Sequence, residues 1–119
     1  MKISIPISVG ELIDKISILQ IKSQYTDNFY VTKELESLIE IAKELKVFDF
    51  KYYDQLLEVN HKLWKIEDEI RVHEKSQDFG DTFISLARSV YITNDERSSI
   101  KNEINQKYNS SYREVKIHK

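Results

Sequence analysis

Leu56–Ile70 reads L-L-E-V-N-H-K-L-W-K-I-E-D-E-I, and its spacing decides the fold class. Leu56, Val59, Leu63, Ile66 and Ile70 step by threes and fours, the seam of a helix that packs on other helices. The periodic stretch runs from about Phe50 to Lys75, with Asp49 placed to cap it. Beside the seam lie Asn60, Trp64, Glu67 and Arg71, at spacings of four, three and four. Asn60 and Glu67 fall inside the apolar arc. A polar or charged group buried without a partner is costly, so these side chains need partners on a neighbouring helix.

Working outward, Ser8 and Glu11 form a capping box that opens a first helix. Val9, Leu12, Ile13, Ile16 and Leu19 share one of its faces, and Ile18 and Ile21 lie nearly opposite. A helix with two apolar faces is either central in the fold or packed against a second copy of the chain. Thr32 is a fair N-cap for a second helix with the face Val31, Leu35, Leu38, Ile39, Ala42 and Leu45, ending near Lys46. A fourth helix, about Phe79 to Tyr91, offers Phe79, Phe83, Leu86, Ala87 and Val90. Thr93 with Glu96 reads as a second capping box, opening a fifth helix with the stripe Ile100, Ile104 and Tyr108.

Both ends of the chain alternate. Ile3, Ile5 and Ile7 oppose Lys2, Ser4, Pro6 and Ser8, while Val115 and Ile117 oppose Glu114, Lys116 and His118. Period two predicts short strands, the first at an edge because Pro6 lacks an N–H. The expected fold is mainly α: a four- to five-helix bundle with a small two-stranded β-ribbon formed by the termini, as a single domain over residues 1–119.

A mass of 14.2 kDa implies that folding reduces roughly 20,600 Å² of surface to roughly 6,800 Å², enough for one core. The chain has no cysteine, which removes disulfides, thiolate metal sites and a cysteine nucleophile. No apolar run reaches the length of a membrane span, so the expected location is the cytoplasm. A net charge of −2 gives no general attraction to nucleic acid, and the basic tail from Arg113 to Lys119 contains Glu114 and is too short to supply much. Glycine-rich phosphate loops, G-x-S-x-G and H-E-x-x-H are absent from the sequence. Glu58-x-x-His61 is one half of a di-iron pattern that needs two such pairs, and Glu11-x-x-Asp14 is a lone acidic pair. The expectation is that the chain carries no metal and no cofactor.

The remaining chemistry is cationic. Arg71, Arg88, Arg97 and Lys101 are the anion-binding candidates, supported by Asn60, Trp64, Glu67, Tyr91, Asn94 and Asp95. If their helix faces meet, one outcome is a structural lock in which Glu67 and Asp95 pair with Arg71, Arg88 and Arg97. The other is an inter-helix pocket for a small carboxylate or phosphate, which guanidinium forks suit.

Three segments carry a resemblance: I-P-I-S-V-G-E-L-I-D-K-I-S-I-L from Ile5 to Leu19, N-H-K-L-W-K-I-E-D from Asn60 to Asp68, and L-A-R-S-V-Y-I-T-N-D-E-R-S-S-I-K from Leu86 to Lys101. Together they resemble a family of small uncharacterised helical proteins of bacteria and some phages, a domain of unknown function. The resemblance spans nearly the whole chain. It implies a complete protein, but no reaction and no catalytic residue. A looser likeness is to the helical chorismate mutases, all-α dimers whose arginines and lysines clamp a dicarboxylate. The first helix here departs from theirs, with Lys15 and Lys22 where the likeness calls for arginine. The leading expectation is a non-enzymatic interaction or assembly module, homodimeric through helix one or helix three. The alternative is a protein that binds or acts on a small anionic metabolite.

Overall fold

A computed structural model, described over residues 1–117, shows an all-α four-helix bundle: α1 Val9–Ser23, α2 Phe29–Glu44, α3 Phe50–Ser76 and α4 Asp81–Lys107. Each helix of the first three starts at a side-chain cap. Ser8 Oγ accepts from Glu11 N at 3.1 Å, Asn28 Oδ1 from Tyr30 N at 2.9 Å, and Asp49 Oδ1 from Lys51 N at 3.1 Å. Asn28 thus takes the role that the sequence offered to Thr32, and α2 begins about a turn earlier. Three helix ends pass through a residue with positive φ: Lys46, Gln77 and Asn109. That left-handed step lets the next amide satisfy a carbonyl of the final turn, as Val47 N does with Ala42 O at 3.0 Å.

Helix α1 is central. It packs on α2, α3 and α4, whereas α2 meets neither α3 nor α4. Its two apolar faces are therefore both used inside the chain: Ile13 and Ile16 are fully buried on one, and Ile21 is 1% exposed on the other. The main core joins Leu12, Ile13, Ile16 and Leu19 to Leu35 and Ala42 of α2, Leu56 of α3 and Ile104 of α4. Gly10 marks where α1 and α4 come closest. A Cβ on it would sit 2.5 Å from the backbone oxygen of Lys101.

Two sequence expectations are corrected. The fourth and fifth helices are one continuous helix of 27 residues. Thr93 does not cap anything: its Oγ1 makes no hydrogen bond and the residue is 0% exposed, inside α4. With neither glycine nor proline between residues 81 and 107, nothing there interrupts the backbone ladder.

The β-ribbon is also absent among the described residues, which contain no strand. The C-terminal alternation exists, but with its polar set inward. Glu114 reaches Lys101 at 3.3 Å and Lys116 reaches Asp95 at 3.3 Å, so the tail lies along α4 and leaves Val115 and Ile117 exposed. The N-terminal segment has no strand beside it, and Ile3 and Ile5 are exposed. His118, the last residue of the expected strand, lies outside the described residues.

Helices α3 and α4 outrun the rest. No residue of α3 after Ile66 is buried, and none of α4 before Thr93. Residues 67–92 thus form an antiparallel two-helix arm with only its own inner seam, where Phe79 and Phe83 meet edge to face at 5.1 Å. The radius of gyration is 16.1 Å, against about 13.5 Å for a compact chain of this length.

Candidate functional site

The chemistry concentrates where α1, α3 and α4 converge. Asp14 of α1 is 0% exposed and carries the charge at the centre. Arg97 of α4 grips it with two donors: Nε gives to Oδ1 at 3.0 Å and Nη2 gives to Oδ2. Asn60 of α3 donates Nδ2 to the same Oδ1 at 2.8 Å and to Ser17 Oγ at 2.8 Å. Ser17 in turn donates back to the carbonyl of Asp14 at 2.7 Å, which fixes its rotamer. One turn along α4, the Lys101 ammonium sits 2.8 Å from Glu11 Oε2, 3.3 Å from Glu114 Oε2 and 3.9 Å from Asp14 Oδ2.

Helical geometry places these groups. Arg97 and Lys101 are four apart and stack on one face of α4. Glu11 and Asp14 are three apart and do the same on α1. The capping box is only half formed, because Ser8 caps Glu11 N while the Glu11 carboxylate turns to Lys101 and, at 3.8 Å, to Lys15. The amides at the start of α1 are satisfied from elsewhere in the chain. Val9 N donates to Ser110 Oγ at 3.1 Å, and Gly10 N to Asn105 Oδ1 at 2.6 Å. This helix N-terminus is closed by protein groups and leaves no donor for a ligand.

The electrostatics agree with the geometry. The hydrogen bond to Asp14 holds the Arg97 guanidinium above its ordinary value, against the opposing effect of burial. Burial works to lower Lys101, but Glu11, Asp14 and Glu114 together outweigh it and raise the group. Both cations are held charged by carboxylates that already surround them. Asp14, Glu11 and Glu114 exceed Arg97 and Lys101 by one negative charge, so the cluster has no cationic surplus.

The residues singled out from the sequence are not brought together. Asn60, Arg97 and Lys101 join the Asp14 network. Trp64 instead stacks on Tyr25 at 5.1 Å, outside it. Glu67 and Arg71 lie on the arm, where Arg71 is 3.6 Å from Asp68 and both are well exposed. Arg88, Tyr91 and Asp95 lie on the outer side of α4, and Asn94 is half-buried beside them. Glu67 sits within the apolar arc of α3, but α1 does not cover that part of the helix, so the group stays in water. Ser17, Asn105 and Glu114 were the missed members, and Glu11 and Asp14 were read only as a lone acidic pair. Asp14 and Ser17 share the α1 arc of Ile18 and Ile21, and an acid inside an apolar arc is the signal that could have found them. Among the described residues, no three His, Asp or Glu side chains converge as a metal ion would need, and no helix is long and apolar enough to cross a membrane.

Fold and site together define a small all-α protein stapled through its middle by a buried ion-pair network. The chain matches the family described as a family of unknown function, DUF6165, over residues 1–118, and belongs to it. No curated protein and no solved structure matches the chain.

Proposed function

We propose that the chain is a cytoplasmic, non-enzymatic interaction module whose working element is the arm of residues 67–92. The observation that carries this reading is the arm's exposed apolar surface: Val72, Ile84, Tyr91 and Ile92 are all between 46% and 63% exposed. An isolated two-helix arm gains nothing from such residues on its outer sides, and Ile84, Tyr91 and Ile92 share one side of α4, where an exposed apolar stripe marks a place for something to dock. The alternative, an anion pocket, has less support. Arg97 and Lys101 already face three carboxylates of the same chain, and a further anion would meet net repulsion there.

A photo-crosslinking residue at Ile84, compared with one at Lys62 on the bundle body, tests this in cells that express the chain. The expected result is a discrete protein adduct from position 84 and none from position 62. The reading fails if neither position yields an adduct and a carboxylate or phosphate metabolite raises the melting midpoint of the wild type. A ligand at a hundred times its Kd adds about 2.7 kcal/mol, a shift of several degrees at this size.

A further inference from the structure

We infer that the arm docks on a second copy of this chain, through the outer face of α4 and about a two-fold axis between Tyr91 and Ile92. This deepens the reading of the chain as an interaction module and rests on it. The inner seam of α4 is set by Phe83, Leu86 and Val90, which are half-buried against α3. On the opposite side of the helix, at spacings of three and four, stand Ile84, Arg88, Tyr91 with Ile92, and Asp95.

That stripe is self-complementary. If two copies of α4 lie antiparallel about the Tyr91–Ile92 midpoint, Tyr91 of each chain meets Ile92 of the other. Arg88, three residues before Tyr91, comes level with Asp95 of the second copy, three residues after Ile92, and the relation repeats in reverse. A two-fold interface requires this reciprocity, with the same patch serving both sides. It also has an aromatic and aliphatic centre flanked by charge pairs, the layout of an interface hot spot with its polar surround.

The charges are available for it. Arg88 makes no ion pair among the described residues. Asp95 meets Lys116 through Oδ1 at 3.3 Å, in a contact that is half exposed, and Oδ2 is left for Arg88 of the second copy. Small residues allow close approach beside the stripe, where an open groove of about 360 Å³ is lined by Asp81, Ile84, Ser85, Arg88, Ser89 and Ile92. The surface area also fits. The chain exposes 8527 Å², against about 6,800 Å² for a compact monomer of this mass. That excess is shared by the arm and the exposed terminal segments, and it is more than the roughly 800 Å² that each partner of a standard interface covers. The α1 residues Ile13, Ile16 and Ile21 and the α3 seam from Leu56 to Ile66 are buried inside the chain, whereas the α4 stripe is exposed.

The test is a charge exchange read by sedimentation equilibrium. Wild type is expected to be a dimer. Arg88→Asp places two like-charged contacts across the axis, as does Asp95→Arg, and each variant alone should dimerise about tenfold more weakly or worse. Mixed in equal amounts, the two variants restore both contacts, and a heterodimer containing one of each should form. Both positions are exposed, and circular dichroism should show the wild-type helix content in each, with a melting midpoint that falls only as far as loss of the partner requires. Tyr91→Asp, which removes the apolar centre, should dissociate the dimer with no rescue by either charge variant. A wild type that stays monomeric up to about 1 mM overturns the second-copy assignment. In that case a crosslink from position 84 to a different protein would leave the module reading standing. A dimer that persists in both single variants, or variants that do not recombine in the mixture, overturns the assignment of this face.

Discussion

Asp14 and Arg97, 83 positions apart in sequence, close a two-point fork inside the bundle, with Arg97 Nε donating to Oδ1 at 3.0 Å. The Asp14 side chain is fully buried while that of Arg97 keeps about a quarter of its surface, 27%. Removing one partner of such a pair strands a buried charge, which costs about 3–5 kcal/mol. Arg97→Met is expected to lose that much in urea unfolding. Arg97→Lys should fall between, since a lysine keeps the charge but cannot supply both donors. Asp14→Leu combined with Arg97→Met should be less destabilised than the sum of the two singles, because no partner of the pair is left charged and alone, while Asn60, which loses its acceptor on Asp14, keeps the recovery partial. If the double variant is as unstable as the sum of the singles, the two side chains do not act as a unit.

Gly10 governs how near α1 and α4 can come. A methyl group there would stand 2.5 Å from Lys101 O and 2.9 Å from Asn105 Oδ1. The first of these is helix backbone and cannot swing aside. Gly10→Ala must therefore push the helices apart, although alanine favours a helix by about 1 kcal/mol over glycine. The expected net effect is a loss of about 1–3 kcal/mol, the range for overpacking. Loss of the Gly10 amide bond to Asn105 should show as faster hydrogen exchange at that amide. A stabilised Gly10→Ala would mean that the close approach is not rigid.

Helix positions and the main apolar faces could be read from the sequence because periodicity and caps are local. Ser8 and Asp49 cap as their spacing implies, and the seam Leu56–Ile66 is buried as its threes and fours require. The errors arose where the outcome depends on what lies across from a residue. Glu67 and Asp14 both sit in apolar arcs, yet one is solvated and the other is 0% exposed, because α1 covers the first part of α3 only. At the C-terminus, two ion pairs to α4 decided which side of an alternating segment faces the protein, and alternation alone cannot contain that.

Asp49 ties the α2–α3 connection to the end of α4 and gives the fold an acid limit. Its Oδ2 accepts from Lys107 Nζ at 2.5 Å and from Tyr108 Oη at 2.9 Å. The hydrogen bond from Lys107 holds the carboxyl below its ordinary 3.8, against the opposing effect of burial and with help from Tyr108. A group whose folded value is depressed contributes stability above its unfolded value, about 3.9, and loses it as pH falls through the folded value. Asp49→Asn keeps an N-cap but removes the charge. The stability gap between wild type and Asp49→Asn should be full above about pH 4 and close as the pH drops further. Urea midpoints measured along that series check it, and a gap that stays constant into acid would remove Asp49 from the account.

Thr93 resembled a helix start and proved to be a buried mid-helix residue whose hydroxyl has no partner. Its Oγ1 lies in the interior at 0% exposure. A hydroxyl taken out of water without a hydrogen bond costs about 1–3 kcal/mol on mutational scales. Valine has nearly the same shape and a similar helix propensity, so Thr93→Val exchanges that hydroxyl for a methyl with little repacking. The variant should be more stable than wild type by about 1 kcal/mol, read as a higher thermal midpoint with an unchanged denaturant slope. Thr93→Ser keeps the hydroxyl and removes the methyl, so it should be less stable than wild type by about 1 kcal/mol. If Thr93→Val is destabilised instead, the hydroxyl is satisfied in solution, and a buried water bound between α4 and its neighbours becomes the thing to look for.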